Sequence, residues 1–506
     1  MQRELELKVE LSPSAIKRLA GELPEVELSV GPASTQKLRT IYFDTPTHGL
    51  REAGISLRLR SHNGGWLQTV KADQHVTGGV SNPQELEVLL ASDHPDVDKI
   101  ADKKLKRSVA KALKGTSLSP VFETVVERTT RQIRASGSEV ELAVDAGELR
   151  TEAARAELSE AELELKAGSA EGLLLAAEKL LAGQHLTLGT RSKAERGYRL
   201  VLEKTPSSPE PEKSRPVALR GRDRSAEAFA AMLASASQQI LVNRGALLES
   251  DDPHAAHQLR IGLRRLRSVL NALRPFAVSQ SLISFERAAR EVAGSVGALR
   301  DADVLISAIF APIEAAASDK RGFADLHKAL TRHRRAKREE VRAQLQGPAW
   351  TRLQLYLTLW PRTLDENERL VRPIKKVARK ALHKAWKTSA KLGANIDRLN
   401  GEQRHQMRKA LKKLRYQAEF FAPLFCRAKS EAFIGQLRTL QDVFGYINDV
   451  RMAARLNEIG TAAATNSDVA RAASYILGRH EAEAEHVWRG ALPAWRALRR
   501  ASRFWT

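Results

Sequence analysis

Glu4-Leu5-Glu6-Leu7-Lys8-Val9-Glu10-Leu11 alternates a charged with an apolar residue without a break. A period of two is the pattern of a strand with one apolar and one charged face. The charged face carries both signs, since Lys8 stands among Glu4, Glu6 and Glu10. The pattern recurs along the next 160 or so residues. Ser56, Arg58 and Arg60 alternate with Ile55, Leu57 and Leu59. Thr69 and Lys71 lie opposite Gln68, Val70 and Ala72, and Glu85 and Glu87 alternate with Leu86 and Val88. Glu139, Glu141 and Asp145 face away from Val140, Leu142 and Val144, and Glu160, Glu162 and Glu164 from Ala161, Leu163 and Leu165. Helix-like segments intervene near 13–23, 95–114 and 170–182. A single charged strand face is ordinarily a wetted sheet face. Six faces mixing carboxylates with cations point further, because a closed barrel turns one face of each strand inward. Such a lining suits a divalent metal, which takes oxygen ligands, together with a polyanion held by Arg forks and Lys point charges.

Working outward, the alternation stops near residue 203. The stretch 204–216 holds four prolines, which favour extended, solvated chain, and it reads as an interdomain linker. The expected division is a strand-rich domain over 1–204, a linker over 205–217 and a helical domain over 218–506. Charge divides at the same place. Residues 1–205 carry 29 basic and 30 acidic residues, so the whole excess behind the net charge of +22 lies beyond them. With 42% hydrophobic residues the chain has material for real cores, which excludes wholesale disorder. Cys426 is the single cysteine, which excludes an internal disulfide framework and a Cys-based zinc site and suits a reducing compartment. No apolar run approaches the ~18 residues of a membrane span. The first residues lack the apolar core of a secretory signal.

After the linker the period becomes 3.6, the signature of helices. The chain also repeats itself at an offset of 148 residues, with 11 identities in 48 ungapped positions from residue 257. His257-Gln258-Leu259-Arg260 aligns with His405-Gln406-Met407-Arg408, and Arg264-Arg265-Leu266-Arg267 with Lys412-Lys413-Leu414-Arg415. Gly297 and Asp301 align with Gly445 and Asp449. At ~100° per residue, His257, Arg260, Arg264 and Arg267 fall within an arc of ~80°, separate from a stripe of leucines. His405, Arg408, Lys412 and Arg415 repeat the arc. A solvated helix face usually mixes Glu with Lys. These stripes hold no acid from His257 to Arg274 or from His405 to Lys413. Two related hairpins about a pseudo-twofold axis would bring both stripes to one surface. The aspartates Asp301 and Asp449 read as caps or as partners of arginine.

The ordered strand motifs resemble the CYTH superfamily, the triphosphate tunnel metalloenzymes, and most closely its bacterial inorganic triphosphatases of the CYTH–CHAD type. The resemblance rests on Glu4-Leu5-Glu6-Leu7-Lys8, Tyr42-Phe43-Asp44-Thr45, Leu57-Arg58-Leu59-Arg60, Thr69-Val70-Lys71, Glu85-Leu86-Glu87, Arg128, Asp145, Glu162-Leu163-Glu164 and Lys193. It implies an eight-stranded antiparallel tunnel barrel. It also implies Mg²⁺ or Mn²⁺ held by Glu4, Glu6, Asp145, Glu162 and Glu164. Triphosphate would be held by Lys8, Arg58, Arg60, Lys71, Arg128 and Lys193, with Lys8, Arg60, Glu85 and Glu87 in catalytic roles. Arg131 is an alternative to Arg128, and Glu160 shares the face of Glu162 and Glu164, so the ligand pair could shift by two.

The second half resembles the CHAD domain through His257, Arg260, Arg264-Arg265-Leu266-Arg267, Leu299-Arg300-Asp301-Ala302-Asp303-Val304, His405, Lys412-Lys413-Leu414-Arg415-Tyr416 and Asn448-Asp449. That resemblance implies an antiparallel helical bundle built by duplication. Its groove would bind inorganic polyphosphate through His257, Arg260, Arg264, Arg265, Arg267, His405, Arg408, Lys412, Lys413 and Arg415. The fold expected is therefore α+β, a barrel followed by an all-α bundle. The expected activity is metal-dependent hydrolysis of inorganic triphosphate beside polyphosphate binding, in the cytoplasm or with polyphosphate granules. Nucleic acid is disfavoured because the stripes lack interleaved aromatic residues for base stacking. The other readings are a non-catalytic polyanion binder and a thiamine-triphosphatase or adenylate-cyclase activity in the same tunnel.

Overall fold

The computed structural model describes residues 5–21, 23, 28–62, 64–72, 80–81, 84–181, 183–184, 186–188, 192–202, 210–277, 279–463 and 467–506. They form two compact units, one of Met1–Ser207 with Gln346–Thr363 and one of Ser208–Leu345 with Leu364–Thr506. No described helix is long and apolar enough to cross a membrane.

The first unit is a sheet of eleven strands. They are β1 (Leu5–Leu11), β2 (Ser29–Val30), β3 (Ser34–Asp44), β4 (Ile55–His62), β5 (Gly65–Ala72), β6 (Val80–Ser81), β7 (Gln84–Leu90), β8 (Ser119–Ala135), β9 (Ser138–Arg150), β10 (Arg155–Ala167) and β11 (Leu186–Leu188). The path runs β11-β1-β10-β9-β8-β3-β4-β5-β7, with β2 on β8. All pairings are antiparallel. At one end of the path β7 pairs with β5, and near the other β6 pairs with β1. The eight longer strands, with β6 closing onto β1, thus make the expected barrel, and β2 and β11 are additions. Register between β8 and β9 is set by a two-residue turn, Ser136-Gly137, with both φ values positive (47° and 73°). That turn matches the right-handed twist of the flanking strands, and Ala135 then pairs with Ser138.

The alternation places Leu7, Val9, Val140, Leu142, Ala161 and Leu163 on one face, all buried. Helices Pro13–Ala20 and Ala170–Leu181 pack on the strands that carry them. The first is shorter than the 13–23 expected, and the 95–114 region is a 3-10 turn, Val97–Lys99, followed by a helix, Lys103–Leu113. A further helix, Pro348–Leu359, joins this unit from far along the chain and packs against Ala170–Leu181. Tyr356 donates to Glu178 Oε2 at 2.7 Å, and Thr351 donates to the Gln184 carbonyl at 2.9 Å. This segment lies inside the range read from sequence as wholly the helical domain.

In the second unit the repeat is visible as two helices of equal length, Pro253–Leu273 and Gly401–Phe421, each followed by a long partner, Gln280–Val304 and Arg427–Ala453. The stripe Leu259, Leu263, Leu266, Leu270 and Leu273 is fully buried, as are Met407, Leu411 and Leu414. The described end of the proline-rich stretch is held rather than free. Glu212 exchanges two hydrogen bonds with the Asn243 side chain, and Ser235 donates to the Arg215 carbonyl at 3.0 Å.

Candidate functional site

Strand register assembles the centre of the barrel. Glu160 and Glu162 share one face of β10. Asp145 on β9 lies opposite Glu160, Arg128 on β8 opposite Asp145, and Lys8 on β1 opposite Glu162. Four adjacent strands therefore bring three carboxylates and two cations together. Lys193, the first residue of helix Lys193–Val201, supplies a third cation.

The contacts are dense. Arg128 grips Asp145 with two hydrogen bonds (2.7 and 2.6 Å) and reaches Glu162 Oε2 at 2.9 Å. Lys8 Nζ lies 2.6 Å from Glu162 Oε1 and 3.8 Å from Glu160. Lys193 Nζ lies 2.8 Å from Asp145 and 2.9 Å from Glu162, and also touches Glu160. Asp145 and Glu160 are each only 1% exposed. Burial alone would favour neutral carboxyls. For Glu162 it is outweighed by Lys193, Lys8 and Arg128, which hold the carboxyl well below its usual range. Asp145 is lowered against burial by Lys193 and Arg128. Burial likewise opposes the charge on Lys8 and Lys193, yet both are pushed up, Lys8 chiefly by Glu162 and Lys193 chiefly by Asp145 and Glu160. Glu6 is different: burial and the nearby Glu162 charge raise it.

Asp145, Glu160 and Glu162 each offer an oxygen within 4.8 Å of the others. An all-oxygen set of this kind fits Mg²⁺ or Mn²⁺. The placement narrows the sequence reading. Arg128 rather than Arg131 reaches the acids; Arg131 lies on the other face and donates to the carbonyls of Ala20 and Gly21, capping a helix. Glu164 lies opposite Glu6 and pairs with Lys166 at 2.6 Å, whereas Glu160 shares the triad with Asp145 and Glu162. Glu4 and the side chain of Glu85 lie outside the described residues. Glu87 is exposed and accepts from Thr69 at 3.0 Å, apart from the triad.

The other cations named from the sequence spread round the wall. Arg58 lies opposite Tyr42 and Thr69, and Lys71 opposite Glu85. Arg60 donates to Thr40 Oγ1 at 3.4 Å. Its guanidinium is pushed down to about 10 by Arg58, then by burial and Arg128. Two arginines crowding each other is a surface that an anion would relieve. Sequence reasoning missed Arg196, three residues after Lys193, whose guanidinium lies 3.4 Å from Glu160.

In the helical unit, Arg260, Arg264, Arg408 and Lys412 from the two related helices come close enough to repel one another. Lys412 is pushed down to about 6 by burial, then by Arg264, Arg408 and Arg260. Arg408 and Arg264 are lowered by burial and by cationic neighbours. Asp301 pairs with Arg260 at 2.8 Å, the arginine partnership expected for it. Next to this centre, His257, Arg300, Arg334, His254 and Lys213 line a cavity of about 560 Å³. Burial and then Arg300 push His257 down to about 4. The other predicted residues are placed differently. Arg265 lies over the Phe420 ring at 4.7 Å and donates to Gln239. Lys413 donates to Asn271 at 2.9 Å, and Arg415 pairs with Glu419 at 3.5 Å. Arg267 is exposed near Arg290 and Glu286, and His405 neighbours Lys409 and Glu402.

Known proteins match in the same two blocks. The CYTH domain family matches residues 2–198, and the CHAD domain family matches residues 231–458. An inorganic triphosphatase of Haemophilus influenzae is 28% identical over 204 residues, 40% of this chain and 55% of that one. This chain's match thus spans about half the length of that relative. The CHAD domain of the plant Ricinus communis is 26% identical, covering 58% of this chain and 98% of that one, with a TM-score of 0.52. A Hippeastrum protein with a dominant triphosphatase activity is 20% identical over 38% of this chain and 93% of that one, with a TM-score of 0.27. The chain therefore carries a CYTH domain match over residues 2–198 and, after it, a CHAD domain match over residues 231–458.

Proposed function

We propose that the barrel hydrolyses inorganic triphosphate and that the helical unit binds inorganic polyphosphate. The observation that supports the first part most strongly is the interlocked set of Asp145, Glu160 and Glu162 with Lys8, Arg128 and Lys193. Triphosphate repels an incoming nucleophile through its own negative charge. Arg58, Arg60 and Lys71, with Lys8, Arg128 and Lys193, would neutralise that charge and hold the phosphates in line. The arginines can take phosphate oxygens in pairs, the lysines singly. A divalent cation held by Asp145, Glu160 and Glu162 would act as a Lewis acid and activate water. A tunnel carboxylate such as Glu6 would accept the proton of the attacking water. Substrate binding loosens the internal ion pairs, so lysines that now face carboxylates turn to phosphate.

For the second part the support is the centre of Arg260, Arg264, Arg408 and Lys412, whose mutual repulsion, partly offset by Asp301 and Asp449, an anion would relieve. A linear polyphosphate offers charge at every unit and no base to stack, which matches a groove without aromatic platforms. A location in the cytoplasm or at polyphosphate granules goes with this reading. The deciding experiment is phosphate release from triphosphate, long polyphosphate, ATP and thiamine triphosphate, with Mg²⁺ and Mn²⁺ compared. Triphosphate is expected to be the best substrate. Preference for ATP or thiamine triphosphate would move the activity to the other tunnel chemistries, and no release from any would leave a polyanion-binding protein.

A further inference from the structure

Helix Lys193–Val201 packs on the barrel along its length. At its first residue Lys193 enters the carboxylate cluster. One turn on, Arg196 lies 3.4 Å from Glu160 Oε2 and 3.7 Å from Glu10, and donates to the Glu157 carbonyl at 3.0 Å. Glu160 therefore has one oxygen facing Arg196 and the other, Oε1, facing Lys193 and Lys8. Tyr198 donates its hydroxyl to Asp44 Oδ2 at 2.6 Å. Asp44 is fully buried at the end of β3 and also accepts from the backbone amides of Thr45, Leu50 and Arg51. The Tyr198 ring meets Phe122 edge-on at 5.3 Å, and Phe122 stacks on Tyr42 at 4.5 Å. At Gly197 an added Cβ would come 2.2 Å from the Phe122 ring, so the helix lies as close to the barrel as a backbone can.

We propose that Arg196 and Tyr198 are positioning residues for the metal and triphosphate site: Arg196 turns Glu160 so that Oε1 faces the cluster, and Tyr198, through Asp44, fixes the helix so that Lys193 and Arg196 reach it. The proposal rests on the tunnel reading given above. The rotamer of a buried carboxylate ligand is set by what its second oxygen touches, and losing such a partner typically costs metal affinity about tenfold or more. Neither residue touches the place where phosphate would react, so both act through Glu160 and Lys193.

The test is Mn²⁺ binding to the full chain, read by electron paramagnetic resonance, for the wild type, Arg196→Met, Arg196→Lys and Tyr198→Phe, with thermal unfolding run alongside. Arg196→Met and Tyr198→Phe should each weaken Mn²⁺ binding about tenfold, and Arg196→Lys, which keeps the charge near Glu160, should recover most of the loss. Unchanged Mn²⁺ affinity in Arg196→Met and Tyr198→Phe, with or without a lower Tm, would make both residues merely structural and overturn the proposal. Should Tyr198→Phe fail to fold, the Arg196→Met and Arg196→Lys pair decides alone. A wild type that binds Mn²⁺ but leaves triphosphate intact defeats the hydrolase reading while leaving this test in force.

Discussion

Lys412 shows what one residue reports about its surroundings. Burial and three arginines push its pKa down to about 6, so in the free protein it is largely neutral above neutral pH. An unfolded lysine binds its proton up to about pH 10. Between these values the unfolded chain holds more protons at this site, so the lysine's contribution to stability rises with pH across that window. A polyanion would pull the pKa back up. Binding of polyphosphate at pH 8 should therefore take up protons, and Lys412→Met should remove much of that uptake. Titration calorimetry in two buffers of different ionisation enthalpy measures it; a binding enthalpy independent of buffer would contradict it. In the tunnel, residue chemistry was legible earlier than residue choice. Period-two alternation puts Glu160, Glu162 and Glu164 on one face without ranking them. The ranking comes from the partner strands: Asp145 stands opposite Glu160, whereas Glu6 stands opposite Glu164. Cross-strand register depends on turns such as Ser136-Gly137, which no charge pattern displays.

At the scale of elements, the strands and the twin basic helices follow directly from their periods. The partner of a helix does not. Pro348–Leu359 reads as one more helix of the second domain, because a 3.6 period shows that a face will be buried and not against what. Its Trp350, Leu353, Tyr356 and Leu357 are buried, and Tyr356 bonds to Glu178. Fully burying one large apolar side chain stabilises by roughly 1.5–3 kcal/mol. A fragment of residues 1–207 should therefore unfold at a Tm lower by about 5 °C or more than the same fragment fused to residues 346–363. Thermal unfolding of the two fragments decides it, and equal midpoints would show that the helix adds nothing to the barrel. The proline-rich stretch teaches the same lesson in reverse. Composition marks it as a connection, but Asn243 and Ser235 hold its described end in place.

Across the whole molecule, charge separates two tasks. The part up to residue 205 is nearly balanced, 29 basic against 30 acidic residues, and its central cluster sets three carboxylates against three cations. The excess beyond it suits a surface whose ligand is a long anion. The central claim is that the carboxylates of the barrel, held by their cations, carry out metal-dependent cleavage of triphosphate. It is tested most directly by the rate of phosphate release from inorganic triphosphate with Mg²⁺, comparing the full chain with Asp145→Asn and Glu162→Gln variants of intact helical and strand content. Release that requires Mg²⁺ in the wild type and falls by about a hundredfold or more in both variants is the expected result. Undiminished release in both variants would contradict the account.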